Sequence, residues 1–157
     1  MAIFYLDSSA VVKYFHSEPG SAWVRQIVNA RVGDSRVNTI YIGAVSIAEV
    51  PAALAILERT KRIGTRGRDT MYRAFLAALE SSWRLLQINI NLLYAAAELT
   101  QQYPLKGYDA VQLALARDYD DRLRAQDLAL IFVTGDDVLL QAAHAEGLVA
   151  ENPFDHE

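Results

Sequence analysis

The 157 residues, 52% hydrophobic and 22% charged, suffice for a sizeable core and exclude a wholly disordered or collagen-like chain. The net charge is −4; with no cysteine, disulfides, thiol catalysis and cysteine-based zinc sites are excluded, and three scattered histidines (His16, His144, His156) leave carboxylates to hold any metal, which favours magnesium or manganese. No apolar run reaches the roughly 18 residues of a membrane span, and the opening has no basic lead before Asp7, so no membrane association and a cytoplasmic location are expected.

The apolar run Ile3–Asp7 is too short for a helix and predicts a buried strand. Helices are predicted over Ser8–Phe15 and Ser21–Val32, separated by the turn signal Glu18-Pro19-Gly20. Val37–Ile42, rich in β-branched and aromatic residues, reads as a second strand. A helix follows over Ser46–Arg62, then a loop marked by Gly64 and Gly67, then a helix over Arg68–Ser82. Leu85–Ile90 predicts a strand and Leu92–Gln102 a helix; Tyr103-Pro104-Leu105-Lys106-Gly107 breaks the chain before a helix at Ala110–Tyr119. The run Leu128–Thr134 predicts another buried strand, followed by a helix at Val138–Glu146. Strands alternating with helices predict a single α/β domain over residues 1–157, with a mostly parallel sheet covered on both faces. Asp118, Asp120 and Asp121 read as a solvated helix end, and His156 falls in a tail expected to fray.

Charge is unevenly placed. Residues 1–97 hold 11 Lys/Arg against 7 Asp/Glu, whereas residues 98–157 hold 4 against 12. Arg59, Lys61, Arg62, Arg66, Arg68 and Arg73 form a basic cluster, readable either as a phosphate-contacting arm or as a solvated helix end and loop.

The informative acids stand at the ends of elements. Asp7 ends the first buried run, and Asp136 follows Ile131-Phe132-Val133-Thr134 by two residues. In an open parallel sheet, ligands bind beyond the carboxyl ends of the strands. Glu49 and Asp109 open two helices whose starts fall near that same edge. Each also has a plainer reading. Ser46-Ile47-Ala48-Glu49 matches a capping box, Asp109 with Gln112 follows the same logic, and Asp136 and Asp137 complement a helix dipole. Asp7 fits capping less well, because Ser8 and Ser9 stand ready for that task, and its nearest basic residue in sequence is Lys13. Carboxylates gathered in one place repel and raise one another's pKa values, and a divalent cation reverses that penalty. Such a cluster is suited to metal-assisted phosphodiester hydrolysis.

Leu6-Asp7-Ser8-Ser9-Ala10, Ser46-x-x-Glu49, Tyr108-Asp109-Ala110-x-x-Leu113-Ala114 and Phe132-Val133-Thr134-Gly135-Asp136 resemble the successive motifs of PIN-domain nucleases. Their order and spacing resemble the small VapC-like toxins of toxin–antitoxin pairs, and the ending Glu151-Asn152-Pro153-Phe154 is similar too. The resemblance implies a three-layer α/β/α sandwich and a magnesium- or manganese-dependent endoribonuclease. It implies a homodimer and a cognate VapB-like antitoxin. By position it implies that Asp7, Glu49, Asp109 and Asp136 are catalytic metal ligands, with Ser8 and Thr134 orienting them and Asp137 as an outer acid. On this reading the cluster at 59–73 gains interest as an RNA contact, and Trp23, Trp83, Tyr41 and Tyr94 as stacking surfaces, although a core role suits most aromatics of amphipathic helices. Pro51, two residues after Glu49, predicts a helix starting later than Ser46 or a displaced Glu49. Two other readings stay open: a PIN-like binding module that no longer cuts, and an aspartate-based phosphotransferase with Asp7 as nucleophile. Against the second, Ser9 stands where a phosphatase of that kind needs a second acid.

Overall fold

The structure, a computed structural model, describes residues 1–156. In chain order its elements are β1 (Ile3–Leu6), α1 (Ser8–Phe15), α2 (Ser21–Asn29), β2 (Arg31–Val32), β3 (Ser35–Arg36), β4 (Thr39–Gly43) and α3 (Ser46–Arg59). There follow α4 (Thr65–Ser81), β5 (Arg84–Leu86), α5 (Ile90–Gln102), α6 (Gly107–Arg124), β6 (Leu130–Val133), α7 (Asp137–Ala145), β7 (Val149–Glu151) and a 3-10 turn at Pro153–His156. Among the described residues, no helix is long and apolar enough to cross a membrane.

The main sheet has the order β5-β4-β1-β6-β7, with every neighbouring pair parallel. Leu6, the last residue of β1, pairs with Ile42 on one side and Val133 on the other. Side chains alternate between the two faces, as the period of a strand requires. Phe4, Leu6, Ile40, Ile42 and Val133 pack under α1 to α4, while Tyr5, Tyr41, Leu130 and Phe132 pack under α5, α6 and α7. The result is the three-layer sandwich expected from the alternation of elements. The chain leaves β1 for strands on one side and later fills the other, so the carboxyl end of β1 is the reversal point where such sheets place ligands.

Several expectations are corrected. The second helix stops at Asn29 rather than Val32, because Arg31–Val32 turn back on Ser35–Arg36 around Gly33, whose φ of 59° is left-handed. Gly67 lies inside α4, which already begins at Thr65. The edge strand β7 was not foreseen. His156 is not frayed: its ring stacks on Trp23 at 4.1 Å and 4°, and it bonds Glu151.

Asp120 is no solvated end either. It is 2% exposed; its Oδ1 accepts from the backbone N–H of Leu130 at 2.8 Å, and its Oδ2 accepts from Arg124 Nε. It therefore ties α6 to the first residue of β6. Asp120→Ala strands that buried N–H and should cost about 2–3 kcal/mol, read as a fall of roughly 5–10 °C in thermal unfolding. An unchanged melting temperature would remove this anchoring role.

Candidate functional site

Asp7 leaves the sheet as β1 ends and, against expectation, is itself the N-cap of α1. Its Oδ1 accepts from Ala10 N at 2.8 Å and from Ser9 Oγ at 2.7 Å, and its Oδ2 accepts from Thr134 Oγ1 at 2.6 Å. Ser8 and Ser9 are instead the first helical residues. Thr134 also takes the N–H of Asp136 at 3.1 Å, and Ser9 takes that of Gly135 at 2.9 Å. The ends of β1 and β6 are thus tied together around one carboxylate. That carboxylate is only 4% exposed, and burial pushes it up to about 6, with the charge of Glu49 adding to the rise and the three hydrogen bonds opposing it.

Glu49 is not displaced by Pro51. The helix begins at Ser46 with tight i→i−3 bonds, Ile47 N to Ala44 O and Ala48 N to Val45 O. Pro51 takes away the N–H that would serve the carbonyl of Ile47, an exposed residue where water can substitute. The capping box does not form. Val45 is the N-cap, with no side-chain bond, while Ser46 and Glu49 turn to a different partner.

That partner is Gln112. Its Nε2 lies 2.8 Å from Glu49 Oε2, 2.9 Å from Ser8 Oγ and 3.1 Å from Ser46 Oγ, and Ser8 Oγ donates to Glu49 Oε2 at 2.6 Å. Tyr5 Oη donates to Gln112 Oε1 from within the sheet. This fixes the amide: turned over, it would set its oxygen against the Glu49 carboxylate. The pair fits because β4 carries Gly43, where a Cβ would fall 2.4 Å from Tyr5 Oη and 3.1 Å from Gln112 Oε1. Read from the sequence only as a capping partner, Gln112 did have a signal: it is the one amide in the apolar run Ala110–Ala116, and a buried polar group needs a partner.

Asp109 lies in the first turn of α6, three residues after the N-cap Lys106, so it is not the N-cap that its spacing to Gln112 suggested, and its carboxyl group turns back toward the Lys106 backbone N–H. Burial raises its pKa, and the charges of Asp136 and Glu49 raise it further while Lys106 opposes them. Asp136 does cap α7, its Oδ1 accepting from Val138 N at 2.8 Å and Leu139 N at 3.0 Å. Asp137 turns away and accepts from Asn152 Nδ2 at 2.9 Å.

Asp7, Glu49, Asp109 and Asp136 line one cavity of about 380 Å³, together with Ser8, Ser9, Lys13, Glu18, Gln112, Gly135 and Phe154. Five carboxylates face one ammonium there. Lys13 does not pair with Asp7; it is bound by Glu18 Oε1 and by the carbonyl of Pro19, each at 3.0 Å. Among the described residues, Asp7, Glu49, Asp109 and Asp136 form no salt bridge, and an all-oxygen donor set suits a hard divalent cation. Among the described residues no three acids already form one closed ligand group, so the cavity gathers them around a shared space without clamping them on a point. The basic cluster stands apart. Arg59 ends α3, Lys61 and Arg62 occupy the turn, and Arg66, Arg68 and Arg73 lie on α4; none lines the cavity, and Arg68 is held by Glu58 and Asp69.

Comparison with known proteins agrees with this architecture. A sequence profile described as the PIN domain matches residues 4–145. No curated protein sequence gives a significant match. Among solved structures, PAE2754 from Pyrobaculum aerophilum is 17% identical with a TM-score of 0.62, covering 99% of this chain and 85% of its own. A toxin–antitoxin complex from Klebsiella pneumoniae is 19% identical with a TM-score of 0.54, covering 98% of each chain. VapC20 of Mycobacterium tuberculosis, a Sarcin-Ricin loop cleaving toxin, is 14% identical with a TM-score of 0.57, covering 93% of this chain and 96% of its own. At these identities the likeness is one of fold.

Proposed function

The chain belongs to the PIN domain family, and on that premise we propose that it is a divalent-metal-dependent endoribonuclease, the toxin of a VapBC-type toxin–antitoxin pair. The observation that carries the reading is the convergence of Asp7, Glu49, Asp109 and Asp136 on one cavity with too little positive charge to balance them. These four would hold a magnesium or manganese ion, which would supply Lewis acidity toward a phosphodiester and an activated water.

The chain's own part is positioning. Thr134, Ser9 and the N-terminus of α1 hold Asp7 from both sides of its carboxyl group. Ser8 and Gln112 fix Oε2 of Glu49, and the first turn of α7 fixes Oδ1 of Asp136. Those bonds leave Glu49 Oε1 and Asp136 Oδ2 for an ion. An Asp7 nucleophile is less well supported, because Ser9 stands where a phosphatase of that kind carries its second acid, and its hydroxyl is spent on Asp7 itself. A VapB-like antitoxin, a homodimer and a cytoplasmic setting complete the proposal, in keeping with the solved toxin–antitoxin complex of similar fold.

The test is to sequence RNA ends after brief expression of the wild type and of Asp109→Asn. New 5′ ends at defined positions are expected in the wild type alone. Ends shared by both proteins, or cleavage by purified protein that persists in excess chelator, would overturn the assignment.

A further inference from the structure

The cavity has one wall with no share in metal binding. Phe154 lines it and is 44% exposed, a large apolar ring beside four carboxylates. The short turn that carries it is fixed at several points. Phe154 N donates to Asn152 Oδ1 at 3.0 Å, and the buried Asn152 donates in turn to Asp137 on α7 at 2.9 Å. Pro153 is buried against Gly20, where a Cβ would fall 2.7 Å from the proline Cβ, and His156 closes the turn by stacking on Trp23. Underneath, the ammonium of Lys13 sits 3.8 Å from the centroid of the Phe154 ring. One face of the ring is therefore covered by a buried cation, and the exposure that remains belongs to the rest of it.

An aromatic ring held rigid at low entropic cost, beside the place where a phosphodiester would be cut, matches what single-stranded nucleic acid offers: a flat base one nucleotide away from the reacting phosphate. The four acids and an ion act on the phosphate; they do not address the base. The geometry points to Phe154 as the stacking platform for the nucleobase flanking the scissile phosphate, with Lys13 as the residue that positions the ring. This rests on the ribonuclease reading and adds to it a residue that governs which RNA is held.

The test uses a labelled oligoribonucleotide spanning a mapped cleavage site, and a second copy that is abasic at the flanking nucleotide. Cleavage by the wild type, Phe154→Ala and Phe154→Trp is followed, with manganese affinity measured by calorimetry on each protein. Base–aromatic stacking predicts that Phe154→Ala raises the half-saturating concentration of the intact oligonucleotide by about 10-fold to 100-fold, that Phe154→Trp restores it, and that manganese affinity does not change. On the abasic copy the wild type and Phe154→Ala should behave alike. Equal half-saturation on the intact oligonucleotide, or an equal loss on both copies, would overturn the platform while leaving the nuclease assignment intact. A wild type that cuts no RNA would sink both.

Discussion

Asp7→Asn is expected to abolish cleavage and yet, in chelator at pH 8, to melt at a higher temperature than the wild type. Burial pushes this carboxyl group up to about 6, roughly two units above the usual aspartate range, so holding it ionised costs the folded chain about 3 kcal/mol at neutral pH. Asparagine removes the charge and keeps an oxygen for Ala10 N and Ser9. What it forfeits is the bond from Thr134, worth about 1 kcal/mol. The net gain is roughly 1–2 kcal/mol, or about 3–6 °C for a chain of this size.

The same argument sets the pH dependence. Between about pH 4 and pH 6 the folded metal-free chain keeps a proton on Asp7 that the unfolded chain has released. Wild-type stability should therefore fall as pH rises through that window and level off above it, with the gap to Asp7→Asn closing below about pH 4. Manganese should reverse the order, stabilising the wild type by mass action and the variant little. Loss of an ion-holding carboxylate should cost cleavage more than the ~100-fold typical of an outer partner. Thermal melts of both proteins across pH, with and without manganese, decide the matter. An Asp7→Asn protein that is the less stable of the two in chelator at pH 8 would make Asp7 an ordinary helix cap.

The layers of the fold were legible because burial dictates them. Ile3–Leu6 and Leu130–Val133 are covered on both faces and show it as unbroken apolar runs. The four acids were legible because element ends are marked by chemistry that a linear reading can find. What escaped depends on contacts between distant parts of the chain. The burial of Asp120 follows from the backbone of Leu130 lying against it, and nothing in Asp118-Tyr119-Asp120-Asp121 separates it from its solvated neighbours. The strand β7 is a three-residue edge with an exposed Val149, too short to show a period. Asp7 was denied the capping role because adjacent serines compete for it on paper. In the structure Ser8 faces Glu49 and Ser9 bonds Asp7 itself, which leaves the cap to the aspartate.

Gln112 is where that long-range logic has its largest consequence. Its amide joins Tyr5 of β1, Ser8 of α1, and Ser46 and Glu49 of α3, three elements met by a side chain that is itself buried, as are Tyr5 and Ser46. Gln112→Met fills similar space but leaves the Tyr5 hydroxyl without its acceptor and Glu49 without one of two donors. An unsatisfied buried hydroxyl costs about 1–3 kcal/mol, so a fall of that size in unfolding free energy is expected. The greater loss should fall on the ion: with Glu49 free to turn, manganese affinity should drop by about 10-fold to 100-fold, as for other partners that orient metal ligands. Tyr5→Phe separates the two effects. It removes the anchor on Oε1 yet leaves both N–H donors directed at Glu49 and the serines, so affinity should fall by only a few-fold for a comparable loss of stability. If calorimetry instead shows affinity tracking stability equally in both variants, the amide is a packing element and does not orient Glu49. A Gln112→Met protein that binds manganese as tightly as the wild type would leave Glu49 outside the ligand set, and the site would rest on the three aspartates.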